Sequence, residues 1–377
     1  MRGDRVYLDW NATAPLRPEA RQAMLEAMDV VGNPSCVHTE GRAAKACVER
    51  ARAQISQLLA CEPSDLVFTS GATEGAALAL SSFSTIYGSA AEHDAVAAWV
   101  QDPSQMLDIG PDGVLTGTCG GQPFSQTVRE GVIAFQAANS ETGILQPTLQ
   151  FAQEIWSLER NVLILVDAVQ ALGKTDFDVP RSGADLLLAS AHKLGGPKGV
   201  GTLYVKPGVA LEPKIKGGGQ EMGRRSGTEN VIGIAGFGAA AEAAARDLAD
   251  GVWERVAKLR NILEISLDAA AKDIIFVGNK ADRLPNTSCF AVPGWKSETQ
   301  VMQMDLAGFA ISAGSACSSG KVKASRVLKA MGFDDRTAAS AVRVSLGPTT
   351  TEEEVLRFAD AWIAAYRRHK KRAGEAA

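Results

Sequence analysis

Residues 190–201 contain Lys193, the side chain in this sequence that is best placed to take part in a chemical reaction. An apolar run at residues 185–189 predicts a buried strand before it, and a second strand is predicted from residue 202. A lysine at the end of a buried strand can be kept away from bulk water, which lowers the pKa of its amine and makes it nucleophilic. A surface turn with two lysines would have the same composition, so this segment alone leaves both interpretations open.

Polar residues also stand at the ends of other predicted strands, at Ser70, Asn139 and Asp167. Buried strands that alternate with helices are typical of a mainly parallel sheet with helices on both faces. In such sheets, ligands bind at the carboxyl ends of the strands. We therefore expect these three residues and Lys193 to converge on one site.

The elements that must position these residues occupy the first two thirds of the chain. Strands are predicted at residues 66–69, 132–136, 162–167, 185–189 and 202–205, and helices at 19–30, 39–60, 73–87, 151–159 and 229–248. Residues 89–130 have little pattern, so we expect loops there apart from a short helix at 94–100. The turn at 70–74 can bind an anion through free N–H groups and the helix dipole, although an ordinary helix N-terminus has the same sequence.

The pattern changes near residue 250. Shorter strands and helices follow, which are typical of a smaller α+β unit, and the chain closes with a helix predicted at residues 351–372. We expect a large domain at residues 14–249 and a small domain formed by residues 1–13 and 250–377.

Bulk composition indicates an ordinary soluble globular protein. The chain has 377 residues, of which 46% are hydrophobic and 22% charged, and its net charge of -4 gives no sign of a nucleic-acid partner. No signal peptide and no long apolar span is evident, so we expect no membrane association. The six cysteines show no CxxC pair and no metal-ligand spacing, which favours free thiols in a reducing cytoplasm and no metal site.

Asp167 and Lys193 together suggest the cofactor pyridoxal 5'-phosphate. A lysine amine can form a Schiff base with the cofactor aldehyde, and a carboxylate can keep the pyridine nitrogen protonated. A protonated ring is the electron sink that the chemistry of this cofactor requires.

The sequence resembles the cysteine desulfurases, which are fold-type I pyridoxal-phosphate-dependent transferases, and within them the group that supplies sulfur for iron–sulfur assembly. The resemblance runs from residue 7 to residue 354. Its most specific motifs, in order, are residues 32–35, 68–74, 167–170, 190–193, 225–230 and 314–317. It implies a large domain with a mostly parallel seven-stranded sheet flanked by helices, and a smaller α+β domain.

The resemblance also implies roles for individual residues. Lys193 attaches the cofactor and moves protons, Asp167 pairs with the ring nitrogen, Gln170 reaches the ring hydroxyl, and His93 stacks on the ring as an acid or base. Arg343 is implied as the clamp for the substrate carboxylate. The remaining implied ligands are Ala72, Thr73, Ser190 and His192 at the phosphate, Ser140 and Asn139 near the ring hydroxyl and substrate, and Thr228 from the partner subunit of a homodimer.

Cys317 is the implied sulfur carrier. It lies among small polar residues beside Lys321 and Lys323, where a thiolate forms more easily than in an apolar core. The implied reaction converts L-cysteine to L-alanine, leaves a persulfide on Cys317 and delivers the sulfur to an acceptor or scaffold protein. The length of the segment around Cys317 resembles that of the group with a long mobile loop.

Three positions depart from the usual family pattern, where asparagine is expected at Ser140 and Ala77 and arginine at Met222. Two other interpretations stay open, and these departures motivate the second. One is a selenocysteine lyase or another fold-type I lyase or aminotransferase, which would not need Cys317. The other is a catalytically impaired paralogue that acts as an assembly partner.

Overall fold

A computed structural model describes residues 5–314, 324–372 and 374. The strands are β1 (Val6–Tyr7), β2 (Leu66–Thr69), β3 (Ile86–Ser89), β4 (Met106–Ile109), β5 (Leu115–Cys119), β6 (Gln122–Pro123), β7 (Gly131–Gln136), β8 (Val162–Asp167), β9 (Leu186–Ser190), β10 (Gly201–Val205), β11 (Ile275–Phe276), β12 (Thr287–Ala291), β13 (Phe309–Ala310), β14 (Ser312–Ala313) and β15 (Ala341–Ser345).

The helices are α1 (Pro18–Met28), α2 (Thr39–Leu59), α3 (Ala72–Leu80), α4 (Asp94–Ala97), α5 (Phe124–Thr127), α6 (Thr148–Trp156), α7 (Val179–Ser182), α8 (Val231–Ala249), α9 (Val252–Ala270), α10 (Ser297–Leu306), α11 (Arg326–Ala330), α12 (Asp335–Ala338) and α13 (Glu352–Arg372). Short 3-10 turns occupy Pro63–Asp65, Pro103–Gln105, Ala191–Lys193 and Gln220–Gly223. Within the described ranges, no helix has the length and apolar composition needed to cross a bilayer.

A large mixed sheet organises the first two thirds of the chain, in the order β2-β10-β9-β8-β7-β3-β4-β5-β6. Strands β9, β8, β7, β3 and β4 run parallel, while the outer strands pair antiparallel. The predicted α/β architecture is present. The sheet is two strands wider than the predicted seven because β5 and β6 extend its edge.

Both faces of this sheet are covered, as the continuous apolar strands require. Side chains alternate between the two faces: Leu187 and Ala189 pack in one core cluster with α2 and α8, while Leu186 and Leu188 pack in another with α3. The strand ends between these two layers are where the polar residues emerge.

Two expectations about the middle of the chain were wrong. The helix predicted over residues 73–87 ends at Leu80, and Tyr87 belongs to β3, because residues 86–88 pair with β7 in the sheet. Residues 89–130 contain β4, β5, β6 and α5 rather than only loops. These edge strands mix buried and exposed side chains irregularly, so they lack the periodicity by which strands are recognised.

A second, four-stranded antiparallel sheet in the order β11-β12-β15-β14 lies in the last third of the chain. Its core includes Trp295 and Trp362 together with residues from α9 and α13. Val6 and Leu8 pack into the same core, and β1 pairs with β13. The N-terminal residues therefore pack with the C-terminal third. Residues 11–13, which follow them, cross the carboxyl ends of the strands of the large sheet.

Candidate active site

A cavity of about 650 Å³ opens at the carboxyl ends of the parallel strands β7, β8 and β9. Residues 11–13, called the crossing segment below, and the start of α3 form further walls of the cavity. Among the predicted site residues, those that line this cavity are Ala72, Thr73, His93, Ser140, Asp167, Gln170, Ser190, His192, Lys193 and Arg343.

Asp167 is held at the centre of the sheet. It ends β8, where Gln136 of β7 and Leu188 of β9 are its neighbours in register. Its Oδ1 accepts a hydrogen bond from the backbone N–H of Val169 (3.0 Å). Burial raises the pKa of the Asp167 carboxyl, and this hydrogen bond and the charges of His93 and Lys193 oppose that rise. A cation placed against the carboxylate would also oppose this rise in pKa, so the site favours a positively charged group there.

Lys193 ends the 3-10 turn that follows β9. Its Nζ donates to the backbone carbonyls of Asn11 (2.6 Å) and Ala12 (2.9 Å). The segment that supplies these carbonyls is fixed in turn by the hydrogen bond from the Ala14 N–H to the His192 carbonyl (2.9 Å). The crossing segment therefore positions the amine of Lys193. Nothing in the sequence of the crossing segment had indicated that it belongs to the site.

The N-terminus of α3 faces the same cavity. Its N-cap residue is Gly71, which has no side chain with which to cap the first N–H groups. The backbone of Gly201 lies so close that a Cβ there would be 2.7 Å from the Gly71 Cα. Free N–H groups and the helix dipole make this end suited to an anion such as a phosphate.

His192 stands beside this anion-binding end with an uncharged ring. Burial lowers the pKa of His192 to about 4, and the charges of Lys193, Lys198 and Lys174 add to the effect. Its Nδ1 lies 3.2 Å from the Thr13 hydroxyl. At neutral pH the imidazole can therefore donate one N–H to a ligand without bringing a charge.

Arg343 projects from β15 of the second sheet and is only 2% exposed. Its Nη1 donates to the Ser140 carbonyl (2.9 Å), and its Nη2 forms an ion pair with Asp9 (2.7 Å). Its Nε is buried and, within the described residues, has no hydrogen-bond partner. A guanidinium that is fixed in place and keeps unused donors is well suited to a carboxylate ligand.

His93 caps the short helix α4, where its Nδ1 accepts the backbone N–H of Ala95 (3.1 Å). A neutral ring with this acceptor carries its proton on Nε2. The preceding residue, Glu92, is buried, and its Oε1 accepts a hydrogen bond from the Ser89 hydroxyl (2.6 Å). Burial raises the pKa of Glu92 to about 8, and the nearby Asp167 adds to the rise. Sequence reasoning did not single out Glu92.

Among the described residues, two predicted site residues, Asn139 and Thr228, are not brought into the cavity. Asn139 is buried in the turn behind it: its amide donates to the Ala91 carbonyl (3.2 Å), and its Oδ1 accepts the Glu141 N–H (2.9 Å). Thr228 lines a smaller neighbouring cleft that shares Ser70 and Gly199 with the cavity. Cys317 lies outside the described residues.

The departure at Ser140 has a limited structural effect. The backbone carbonyl of Ser140 accepts hydrogen bonds from Arg343 Nη1 and from Asn11 Nδ2 (3.3 Å). A backbone contact is the same for serine as for asparagine. Met222 is exposed on the turn at Gln220–Gly223, and Ala77 lies inside α3, so neither lines the cavity.

Glu141 is a further residue that the sequence did not indicate. The Ser325 hydroxyl donates to its Oε2 (2.6 Å), and a Cβ at Gly314 would lie 3.2 Å from the same oxygen. Burial raises the pKa of Glu141 to about 7, while the Ser325 hydrogen bond and the charge of Arg343 oppose the rise. The half-buried carboxyl of Glu141 therefore lies close to both described flanks of residues 315–323.

The donor set of the cavity fits pyridoxal phosphate. An amine for covalent attachment, a buried carboxylate for the ring nitrogen and an uncapped helix N-terminus for the phosphate all open into it. Over the described ranges, no group of three or more histidine, cysteine, aspartate or glutamate side chains is placed to hold a metal ion.

Comparison with known proteins gives a consistent result. The profile of the aminotransferase class-V family matches residues 6–358. The chain is 38% identical to a cysteine desulfurase from Cereibacter sphaeroides, covering 94% of each chain. It is 35% identical to the cysteine desulfurase IscS of Dictyoglomus turgidum, covering 93% of this chain and 91% of the other.

Solved structures agree with these sequences. The NifS-like protein of Rickettsia africae superposes with a TM-score of 0.86 at 29% identity, covering 96% of this chain and 99% of the other. Another NifS-like protein superposes with a TM-score of 0.87 at 31% identity, covering 97% of this chain and the whole of the other. The predicted family, its cofactor and the fold-type I architecture are confirmed. The chain therefore belongs to the class-V aminotransferase family and, within it, to the pyridoxal-phosphate-dependent cysteine desulfurases.

Proposed function

We propose that this chain converts L-cysteine to L-alanine and passes the sulfur, as a persulfide on Cys317, to an acceptor protein for iron–sulfur cluster or other thio-cofactor assembly. The observation that carries the proposal is the position of Arg343. This buried guanidinium opens into the same cavity as Lys193 and Asp167, so one small amino acid can reach all three groups. The relatives named as cysteine desulfurases support the choice of substrate.

Each residue of the cavity has a task in this proposal. Bound pyridoxal phosphate supplies the electron sink that weakens the bonds at the substrate Cα. Arg343 holds the substrate carboxylate, and the Nζ of Lys193 takes the proton from Cα and later returns one. The carboxylate of Asp167 stabilises the positive ring nitrogen, and His93 exchanges a proton through Nε2.

The sulfur step is assigned to Cys317. Its thiolate attacks the substrate sulfur, so that an S–S bond forms while the Cβ–S bond of the substrate breaks. The electron pair of the broken bond stays with Cβ, which takes up a proton and becomes the methyl group of alanine. The sulfur is left as a persulfide, so the step needs no outside oxidant or reductant.

The direct test is an alanine assay on the holoenzyme with L-cysteine, combined with mass spectrometry of alkylated Cys317. The wild-type chain should release alanine and carry one extra sulfur on Cys317. Cys317→Ser should keep the cofactor spectrum and lose sulfur transfer, because the hydroxyl is a poor nucleophile toward sulfur. Cys36→Ser replaces a half-buried cysteine outside the cavity and should behave like the wild type.

Other results would contradict the proposal. Alanine release by Cys317→Ser at the wild-type rate would show that this thiol is not the sulfur carrier. Activity with L-selenocysteine but not with L-cysteine would indicate a selenocysteine lyase. A holoenzyme that forms no alanine from either substrate would indicate a catalytically impaired assembly partner.

We further propose that the protein acts in the cytoplasm as a homodimer, in which Thr228 completes the phosphate site of the partner subunit. The place of Thr228 in a cleft beside the cavity, rather than in it, supports this arrangement. We also keep the division into a large domain at residues 14–249 and a small domain at 1–13 and 250–377. The separate core that joins Val6 and Leu8 to the C-terminal third supports that division.

A further inference from the structure

Lys174 is a buried lysine to which the proposed reaction gives no task. It lies seven residues beyond Asp167 and is 4% exposed. Its Nζ donates to Gln170 Oε1 (2.7 Å) and to Asn11 Oδ1 (3.2 Å). Both acceptors are neutral amide oxygens, and within the described residues no carboxylate forms an ion pair with it. Burying an amine in this way is costly unless its hydrogen bonds are needed for structure or function.

The Asn11 carbonyl and Lys174 together determine which way the Gln170 amide faces. The backbone carbonyl of Asn11 can only accept, so the Gln170 Nε2, at 2.9 Å, must be the donor toward it. The Oε1 then points to Lys174, whose amine donates to it. The NH2 group of Gln170 is thereby held on the side of the crossing segment, and its second N–H remains available to a ligand in the cavity that Gln170 lines.

Lys174 and Lys193 are connected through the same residue. Lys193 donates to the Asn11 backbone carbonyl, and Lys174 donates to the Asn11 side chain. Both lysines also border a small void between the crossing segment and α9, next to Trp253. Burial lowers the pKa of Lys174 well below its usual value, and the positive charges of Lys193 and Arg343 add to the effect. A neutral amine can make both of its hydrogen bonds without a counter-ion.

We propose that Lys174 is a positioning residue that locks the Gln170 amide with its NH2 group toward the bound cofactor. The inference rests on the proposed role of Gln170 at the ring hydroxyl. Lys174 touches neither substrate nor cofactor and acts through Gln170. Without it, the amide can rotate and present its oxygen to an oxygen of the ligand, where two acceptors would repel each other.

The test compares four holoenzymes: wild type, Lys174→Met, Gln170→Leu and the double variant. The readouts are the absorption maximum of the bound cofactor and the rate at which cofactor is lost during dialysis, neither of which depends on turnover. Lys174→Met should shift the maximum and speed cofactor loss about tenfold, the effect of one hydrogen bond to a polar ligand. The double variant should lose cofactor no faster than Gln170→Leu alone, because both changes remove one interaction.

Two further variants separate positioning from folding. Lys174→Gln retains an N–H donor and should restore part of the wild-type spectrum, whereas a loss of packing would affect it as much as Lys174→Met. Lys206→Met removes a lysine that pairs with Asp185 at the opposite end of the sheet and should leave the cofactor spectrum unchanged. Thermal unfolding of each variant identifies any that fail to fold.

The outcomes distinguish this inference from the function on which it rests. The inference alone would be overturned if the two single substitutions speed cofactor loss independently, so that their fold increases multiply in the double variant. It would also be overturned by a Lys174→Met spectrum identical to that of the wild type. A Gln170→Leu variant with wild-type cofactor binding would overturn both the role of Gln170 and that of Lys174. Failure of the wild type to form alanine would instead overturn the proposed reaction.

Discussion

Arg343 is held from two sides before any substrate arrives. Asp9 and the Ser140 carbonyl take one N–H from each terminal nitrogen, and the Ser312 hydroxyl donates to Asp9 (2.7 Å) and fixes it in turn. This orientation leaves the guanidinium little freedom, so the carboxylate of a substrate meets donors that are already aligned. Preorganised donors of this kind lose less conformational entropy on binding.

Arg343→Lys tests this orientation. A lysine keeps the charge but cannot contact Asp9, the Ser140 carbonyl and a substrate carboxylate at once, so we expect KM for L-cysteine to rise about tenfold or more. The cofactor spectrum should not change, because Arg343 is assigned to the substrate alone. Steady-state alanine assays and absorption spectra measure the two quantities. An unchanged KM would contradict the assignment.

Glu92 provides a prediction for stability. Its pKa is raised from an unfolded value of 4.5 to about 8, mainly by burial. Below pH 4.5 the carboxyl is protonated in both states. Between pH 4.5 and 8 it ionises only when the chain unfolds, so its effect is increasingly destabilising as the pH rises, by about 1.4 kcal/mol per pH unit at most.

Glu92→Gln removes this ionisation. The free energy of unfolding of the variant, relative to wild type, should therefore increase as the pH rises from 5 to 8, as measured by urea denaturation. The exposed Glu353→Gln on α13 is the matched control and should show no such trend. A difference that stays constant over this range would show that Glu92 ionises normally in the folded protein.

At the scale of elements, the proposed phosphate end of the site depends on how closely α3 approaches β10. A Cβ at Gly201 would lie 2.7 Å from the Gly71 Cα and 2.8 Å from the Ala189 carbonyl oxygen. Both are backbone atoms, which cannot move aside as a flexible side chain can. Glycine at 201 is therefore what allows the helix N-terminus to stand next to the end of β9.

Gly201→Ala should displace the start of α3, at a cost of about 1–3 kcal/mol from overpacking. Cofactor affinity and thermal stability should both fall, as measured by fluorescence titration and by calorimetry. Gly219→Ala is the control, because a Cβ there meets no atom within 4 Å and the φ of Gly219 is -86°. Equal effects of the two substitutions would argue against a specific role for this close approach.

At the scale of the whole molecule, the proposed catalytic groups come from distant parts of the chain. Lys193 and Asp167 stand on the large sheet, Arg343 stands on the second sheet, and the segment at residues 11–13 links the two. A homodimer with Thr228 at the partner's site would extend this dependence to a second chain.

Shared sites predict complementation between inactive variants. A Lys193→Ala subunit supplies a normal Thr228, and a Thr228→Trp subunit supplies a normal Lys193, so a mixed dimer contains one complete site. Co-refolding the two should restore up to half of the wild-type alanine formation per mixed dimer. If each site is built from one chain, mixing restores nothing. Light scattering on the same samples establishes that dimers form.

The sequence alone indicated the proposed catalytic groups that depend on residue type and local order. Asp167 was found because it ends a continuous apolar strand, and Lys193 because it lies three residues beyond another. The parallel arrangement of such strands brings their ends to one edge of the sheet. The same rule, applied to a strand and the helix after it, indicated a possible anion-binding turn at residues 70–74, while the roles of Ala72 and Thr73 in it came from the family resemblance. In each case the polar residue lies within a few positions of the apolar strand that reveals it, so a local reading of the sequence is enough to find it.

Only the tertiary structure revealed the groups that hold those residues in place. Asn11 lines the cavity and Asp9 pairs with Arg343 because residues 6–8 pack into the C-terminal core, a contact between segments about 300 residues apart that no local pattern indicates. Lys174 and Glu141 resemble surface residues in the sequence, but once the chain folds Lys174 is a buried partner of Gln170 and Glu141 is a half-buried partner of Ser325. Residue types specify the chemistry, but the orientation of each side chain is set by packing between distant elements.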